Sequence, residues 1–398
     1  MMRQTAALTI NIAPSSKGNS EGNTVQLHSD RPVLAANYFI GKSVDETLRL
    51  LPMLFSVCSK AQACASVRGF ECALNQNAEA CVQRQRQIAV DVESLREHLW
   101  RIFLQWPQLL GSKAKQPILA EVFRLQRALD AQLNPNNQLF TMNAKGALQV
   151  DSVCMKQLKA LVDLQVFGSS CEQWLAITDL SELSRWQKDT DTSASQLLNA
   201  ISDKQWQSSG DGGYSPLPEL TPAQQNELQQ LMAQDGFIAQ PTWHNQSCES
   251  TPLTRNQSPL LEQCQQHFGT GLLARAIAML TEVANLAANL LRWFRYGYSE
   301  PAGEQSPTWQ LGHAVAARGQ LFHSVQCQNN TVTDYRILAP TEWNFHPMGV
   351  VKAALGQLQG SPNALKLQAQ LFIELLDPCV AYSVSTHHGV ATGVSTHA

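Results

Sequence analysis

Gly271-Leu-Leu-Ala-Arg-Ala-Ile-Ala-Met-Leu-Thr-Glu-Val-Ala-Asn-Leu-Ala-Ala-Asn-Leu-Leu-Arg-Trp-Phe294 is the most apolar run in the chain and decides what kind of fold the rest must build. It is long enough for a bilayer span, but Arg275, Glu282, Asn285 and Asn289 interrupt it, and charge in hydrocarbon is costly. It therefore reads as a buried helix at the centre of a bundle. Working outward, helical periodicity recurs over Val90–Phe103, Pro117–Leu133, Ser152–Phe167, Pro222–Asp235 and Gly349–Leu358. A further helix starts after Ser43, a suitable N-cap with Asp45 and Glu46 in the first turn, and runs to about Leu74, with Pro52 set to kink or restart it. Strand signals are fewer. Leu8, Ile10 and Ile12 alternate with polar or small residues ahead of Val25-Gln-Leu27, giving a small β element within residues 1–42. Gln320–Cys327 and Thr331–Leu338 flank Asn329-Asn330 as a hairpin. Residues 188–226, with Ser208-Ser-Gly-Asp-Gly-Gly213 inside, read as a surface loop or insertion. The expected fold is mainly α (α+β): a long-helix bundle in one domain over 1–398, with a small N-terminal β element, peripheral β hairpins and a flexible tail over 385–398.

Charge narrows the function. Lys and Arg number 29 against 32 Asp and Glu, and only 15% of residues are charged. A net charge of −3 gives no field that would hold phosphates, so nucleic acid is not an expected partner, and neither is membrane insertion. Met1–Ser20 has no apolar core with a basic flank, so a cytoplasmic location is expected. In that compartment ten cysteines imply free thiols rather than a disulfide framework.

The question is then which thiols do chemistry. No CxxC pair exists, so a zinc ribbon or a thioredoxin-like site lacks its unit. Along one helix, Cys64 would lie about 240° round from Cys58, and Cys72 about 20 Å further on, so Cys58, Cys64, Cys72 and Cys81 make no local cluster. Cys64, Cys72, Cys81, Cys154, Cys171, Cys248, Cys264 and Cys327 are expected to be packing residues. Cys58 and Cys379 sit in more specific surroundings: Phe55-Ser-Val-Cys58-Ser-Lys-Ala-Gln62 near the start, and Asp377-Pro378-Cys379-Val-Ala-Tyr382-Ser-Val-Ser385 near the end.

These two stretches resemble the opening and closing signatures of nickel–iron hydrogenase large subunits, Arg-x-Cys-Gly-x-Cys with a histidine four positions on, and Asp-Pro-Cys-x-x-Cys-x-x-His. Between them Val315-Ala-Ala-Arg318-Gly319 is similar to the family's Glu-Ala-Pro-Arg-Gly element. Ala339-Pro340-Thr341-Glu-Trp343-Asn344 is similar to its Val-Pro-Thr/Ser-Thr-Trp-Asn, and Gly271-Leu-Leu-Ala274-Arg275 to its Gly-Pro-Leu-Ala-Arg. The resemblance covers about Gly41–Ser385 and implies the large-subunit fold.

The departures redirect the functional expectation. In the family four thiolates hold the metals, but here Phe55 and Tyr382 stand where two of them belong, and Gln62 replaces the histidine. Two sulfurs are too few for a nickel site, so neither nickel nor catalysis is expected. An iron carrying two cyanides and carbon monoxide asks less of the protein. The resemblance assigns Cys58 and Cys379 as its metal ligands, and Arg318, Pro340 and Thr341 as contacts to its cyanides. The retained cysteines are not equivalent, since in the family Cys58 matches a bridging ligand and Cys379 a nickel-only one.

The whole pattern resembles the hydrogenase assembly proteins of the HupK/HoxV type. It implies a non-catalytic scaffold or carrier that binds the Fe(CN)2CO unit transiently, with the large-subunit precursor and other maturation chaperones as partners. A metal-free pseudo-subunit acting only through protein contacts is the alternative. Ser385 replaces the histidine at which large subunits are trimmed, so the tail, with His387, His388 and His397, is expected to persist.

Overall fold

The computed structural model describes residues 7–14, 22–146, 151–295 and 311–386; the histidines of the tail lie outside them. The long apolar run forms the helix Leu272–Arg295, with nearly every side chain from Leu272 to Leu290 buried. Its interrupting charges are not exposed to solvent but tied to neighbours. Arg275 makes a two-pronged pair with Glu249 (2.6 and 3.0 Å). Glu282 accepts from His98 (2.9 Å), Asn256 (2.9 Å) and Arg255 (2.6 Å). Among the described residues no helix is long and apolar enough to cross a membrane.

Three helices near the N-terminus carry the site. α1 (Val44–Leu54) starts where expected, with Ser43 Oγ accepting from Glu46 N–H at 3.2 Å. Pro52 lies in its last turn, and the chain breaks at residues 55–58 before restarting as α2 (Ser59–Ala73). α3 (Ala80–Trp100) begins ten residues earlier than the periodicity indicated and runs into a π-helical turn at Arg101–Gln105. α2 is buried on all sides from Ala61 to Glu71, which explains its run of alanine, serine and cysteine.

The strands are β1 (Leu8–Ala13), β2 (Thr24–Ser29), β3 (Gly312–Ala316), β4 (Gly319–Gln328), β5 (Thr331–Leu338) and β6 (Tyr382–Ser385). β3, β4 and β5 form an antiparallel meander that packs on α2. The expected Asn329-Asn330 turn is present, with both residues in the left-handed region (φ 51° and 63°). Contact with α2 is intimate at two glycines. A Cβ on Gly312 would stand 1.9 Å from the Ala65 carbonyl oxygen, and one on Gly69 2.9 Å from Val325. The other sheet has the order β2-β1-β6, with β6 parallel to β1 and Tyr382 opposite Leu8. The expected N-terminal β element thus captures the C-terminal end of the chain.

The loop expected over 188–226 needs correction. Ser193–Asp203 is a helix, capped by Thr192 and burying Ala194, Leu197, Leu198 and Ile201. That i, i+3, i+4, i+7 stripe was hidden among serines and glutamines. Ser208-Ser-Gly-Asp-Gly-Gly213 is a surface connection as expected, exposed at Ser208 and Asp211–Gly213, and the chain around it also caps the central helix. The Gln207 and Ser209 carbonyls accept from Leu273 and Leu272 N–H at 3.2 and 3.0 Å, capping the central helix. Further helices escaped the periodicity, among them Leu180–Asp189, Pro259–Phe268, and Pro362–Leu376, which delivers the Asp377-Pro378-Cys379 turn.

Candidate functional site

Cys58 occupies the N-cap of α2, yet its side chain does no capping. Glu93 of α3 does that work instead. Its carboxylate accepts from Lys60 N–H (2.9 Å), Ala61 N–H (3.0 Å) and Ser59 Oγ (3.2 Å). A helix start satisfied from outside leaves the cap residue's own side chain available. Arg96 donates to the Val57 carbonyl at 3.2 Å, fixing the loop just before the cysteine.

Cys379 arrives from the other end. The helix Pro362–Leu376 ends on Asp377 in the left-handed conformation (φ 57°), and the chain then turns through Pro378 toward β6. Thr341 Oγ1 lies 3.2 Å from Cys379 Sγ, held by the short helix Pro340–Asn344 in which Pro340 occupies the first turn. The two thiols feel each other. Burial, then the charge on Cys379 and on Glu93, pushes the Cys58 thiol up to about 12, while Arg318 and Gln62 work against that rise.

Arg318 sits in the tight turn between β3 and β4 and is only 3% exposed. Its Nη2 pairs with Glu97 (2.8 Å) and Asp377 (3.2 Å). Nε and Nη1 are buried without a hydrogen-bond partner among the described residues. Burial opposes its charge, but Asp377, Glu97 and the two thiols raise its pKa above the usual value, so it stays cationic. The turn itself is clamped. Asn344 Nδ2 donates to the Arg318 and Ser250 carbonyls (both 3.0 Å), and Arg255 donates to the Ala317 carbonyl (2.7 Å).

The positions that lack cysteine do other jobs. Phe55 ends α1 and packs half-buried against the core. Tyr382 is buried, and its hydroxyl donates to Glu374 at 2.6 Å. Glu374 is also held by Arg101 (2.7 Å), which reaches the Pro378 carbonyl (3.1 Å) and pairs with Asp377. The phenol is thus committed to a buried network and turned to a structural use.

Gln62 links Cys58 to the interior. Its Nε2 lies 3.8 Å from Cys58 Sγ and its Oε1 3.0 Å from His323 Nε2. His323 Nδ1 is 2.8 Å from the Tyr335 hydroxyl, which is 2.8 Å from Ser66 Oγ. Burial holds His323 down at about 3, so the ring is neutral. The Tyr335 hydroxyl donates to Ser66 Oγ and the Gln62 amide donates to Cys58 Sγ, with His323 between Tyr335 and Gln62.

Of the residues singled out in the sequence, Cys58, Cys379, Arg318 and Thr341 lie near one another, and Pro340 opens the short helix that holds Thr341. Sequence reasoning missed Glu93, Glu97 and Arg101, although charges at i, i+4 and i+8 on a buried helix face were a readable signal. It also missed Arg31, which pairs with Glu342 at 2.7 Å. All ten cysteines are free thiols; Cys64, Cys171, Cys248 and Cys264 are buried, and Cys72, Cys81, Cys154 and Cys327 are half-buried. Among the described residues no cluster of three or more His, Cys, Asp or Glu side chains could hold a metal ion.

A helical bundle that brings Cys58 and Cys379, far apart in sequence, to a buried guanidinium has a large-subunit-like architecture. The fold agrees with solved structures: a variant [NiFeSe] hydrogenase of Desulfovibrio vulgaris Hildenborough superposes with a TM-score of 0.61 at 13% identity, over 91% of this chain and 94% of the other. An NAD+-reducing [NiFe]-hydrogenase gives 0.56 at 14% identity, over 90% and 92%.

In sequence the chain is similar to hydrogenase expression/formation proteins of the HupK, HupV and HoxV type. It is 28% identical to the hydrogenase expression/formation protein HupV of Azotobacter chroococcum mcd 1, over 88% of this chain and 90% of that protein. It is 27% identical to HoxV of Cupriavidus necator, over 91% and 93%, and 26% identical to HupK of Rhodobacter capsulatus, over 95% and 97%. No family model matches the chain.

Proposed function

We propose that the chain is a non-catalytic assembly protein for nickel–iron hydrogenase that carries the Fe(CN)2CO unit on Cys58 and Cys379 and passes it to the large-subunit precursor. The observation that carries this reading is Arg318: a buried guanidinium beside two thiols, with Nε and Nη1 unpartnered among the described residues. Leaving such donors unsatisfied costs about 1–3 kcal/mol each, more for charged groups, unless a ligand takes them. Cyanide nitrogens are acceptors of the right kind, and charge-assisted bonds from a guanidinium are strong. Thr341 beside Cys379 adds a hydroxyl donor. An iron that brings its own diatomic ligands needs few from the protein, and two thiolates meet that need. Nickel would need more sulfur, and Phe55 and Tyr382 stand in the sequence where the hydrogenase signatures carry two further cysteines.

A second reading, a metal-free pseudo-subunit, draws on a different feature. Leu34, Tyr38, Ile40, Met53, Leu54 and Val57 are exposed apolar side chains within one stretch around α1, a composition suited to protein contacts. Hydrogenase maturation in cells carrying Cys58→Ala, Cys379→Ala or both separates the two. The carrier reading expects loss of active hydrogenase in each variant. Full maturation in the double variant would select the pseudo-subunit.

A further inference from the structure

Arg31 belongs to none of the motifs shared with the hydrogenases, yet its partner Glu342 adjoins the residue that touches Cys379. It follows β2 directly, in a turn where Val33 N–H donates to the Arg31 carbonyl at 2.9 Å. Its side chain is 14% exposed, and Nη1 lies 2.7 Å from Glu342 Oε1. Glu342 adjoins Thr341, whose hydroxyl is 3.2 Å from Cys379 Sγ. Arg31, Thr341 and Glu342 together wall a cavity of about 410 Å3, which His28, Ser29 and Gln240 complete on its polar side. Burial opposes the charge on Arg31, while Cys379, Glu342 and Cys58 favour it, and the net effect is a raised pKa.

Charge counting gives this placement a purpose. Ferrous iron with two cyanides and two thiolates sums to −2, whatever the number of neutral carbon monoxide ligands. A dianion in a largely buried pocket is costly without cations beside it. Arg318 cannot offset it alone, because Glu97 and Asp377 already face that guanidinium. Two guanidinium groups feel both thiols, and Arg31 is the second.

We propose that Arg31 is a second cationic anchor for the anionic iron unit, acting beside Thr341 and Glu342. The inference rests on the carrier reading. Its test uses the full chain, purified without oxygen from cells expressing the maturation genes, with infrared spectra and iron content measured for wild type, Arg31→Gln, Arg31→Lys, Glu342→Gln and Cys58→Ala. Arg31→Gln should retain about tenfold less iron and show weaker cyanide bands, the effect of losing one charged contact. Arg31→Lys, which keeps the charge, should retain the bands with displaced cyanide frequencies. Glu342→Gln, which leaves Arg31 without its competing carboxylate, should shift the same frequencies without loss of iron.

Bands identical to wild type in position and intensity in Arg31→Gln, while Cys58→Ala abolishes them, would overturn this inference and leave the carrier reading standing. Absence of bands in the wild-type protein would remove both. Should Arg31→Gln not fold, unchanged cyanide frequencies in both Arg31→Lys and Glu342→Gln would overturn the proposal just as well.

Discussion

Cys58 is presented because a residue 35 positions away does its capping for it. Glu93 takes the first free N–H groups of α2, so the sulfur at the N-cap can face Arg318 and Cys379. Replacing Glu93 with alanine should destabilise the protein by about 1–3 kcal/mol, measured by urea unfolding, because two buried donors lose their acceptor. Glutamine should recover only part of this loss, since it offers one oxygen where the carboxylate offers two. At this level the sequence was partly legible. Cys58, Cys379, Arg318, Pro340 and Thr341 stand in short motifs, so the resemblance to the hydrogenase signatures singled them out. Arg31 is joined to the site only by tertiary packing, and the spacing of Glu93, Glu97 and Arg101 marks a charged helix face without saying that Glu93 will cap another helix.

Among the elements, the approach of β3 to α2 sets where Arg318 lies relative to Cys58. Gly312 permits that approach, because any side chain there would run into the Ala65 carbonyl of α2. Gly312→Ala should therefore lower the melting temperature strongly or prevent folding, whereas alanine at Gly41, where a Cβ meets nothing within 4 Å, tests only the cost of positive φ. The central helix works through its charges as well as its apolar faces. Glu282 holds Arg255, and Arg255 holds the Ala317 carbonyl in the turn that carries Arg318.

Burial alone would push the Glu282 carboxyl up, but Arg255 and His98 outweigh it and bring it down to about 2, against an ordinary 4.5. A depressed carboxylate contributes stability that is fully present above about pH 4.5 and lost as pH falls through about 2, on the order of 3 kcal/mol here. Glu282→Gln should remove that contribution and flatten the dependence of unfolding free energy on pH between about 4.5 and 2. Periodicity found the central helix because its apolar run is long. It missed Ser193–Asp203 because a short stripe among serines and glutamines carries too little contrast.

For the molecule as a whole, the decisive fact is that the two chain ends meet. β6 pairs in parallel with β1, so the turn bearing Cys379 is held at the surface of a bundle whose second and third helices position Cys58 and Arg318. The mainly α architecture followed from helical periodicity, and the large-subunit type of fold from the order of the motifs. The capping role of Ser208–Gly213 and the parallel β1–β6 pair did not, because both join segments far apart in sequence. Truncation of residues 1–14, which removes β1, should expose the edge of β6 and make the Cys379 turn accessible to thiol reagents much faster than in the full chain, as read by mass spectrometry under native conditions.

Infrared spectroscopy of the protein purified without oxygen from cells expressing the maturation genes bears most directly on whether this fold carries half of a hydrogenase centre. The expected result is a set of cyanide and carbonyl stretching bands that vanish in Cys58→Ala and in Cys379→Ala. A spectrum without those bands in the wild-type protein, or with bands that survive both substitutions, would contradict it.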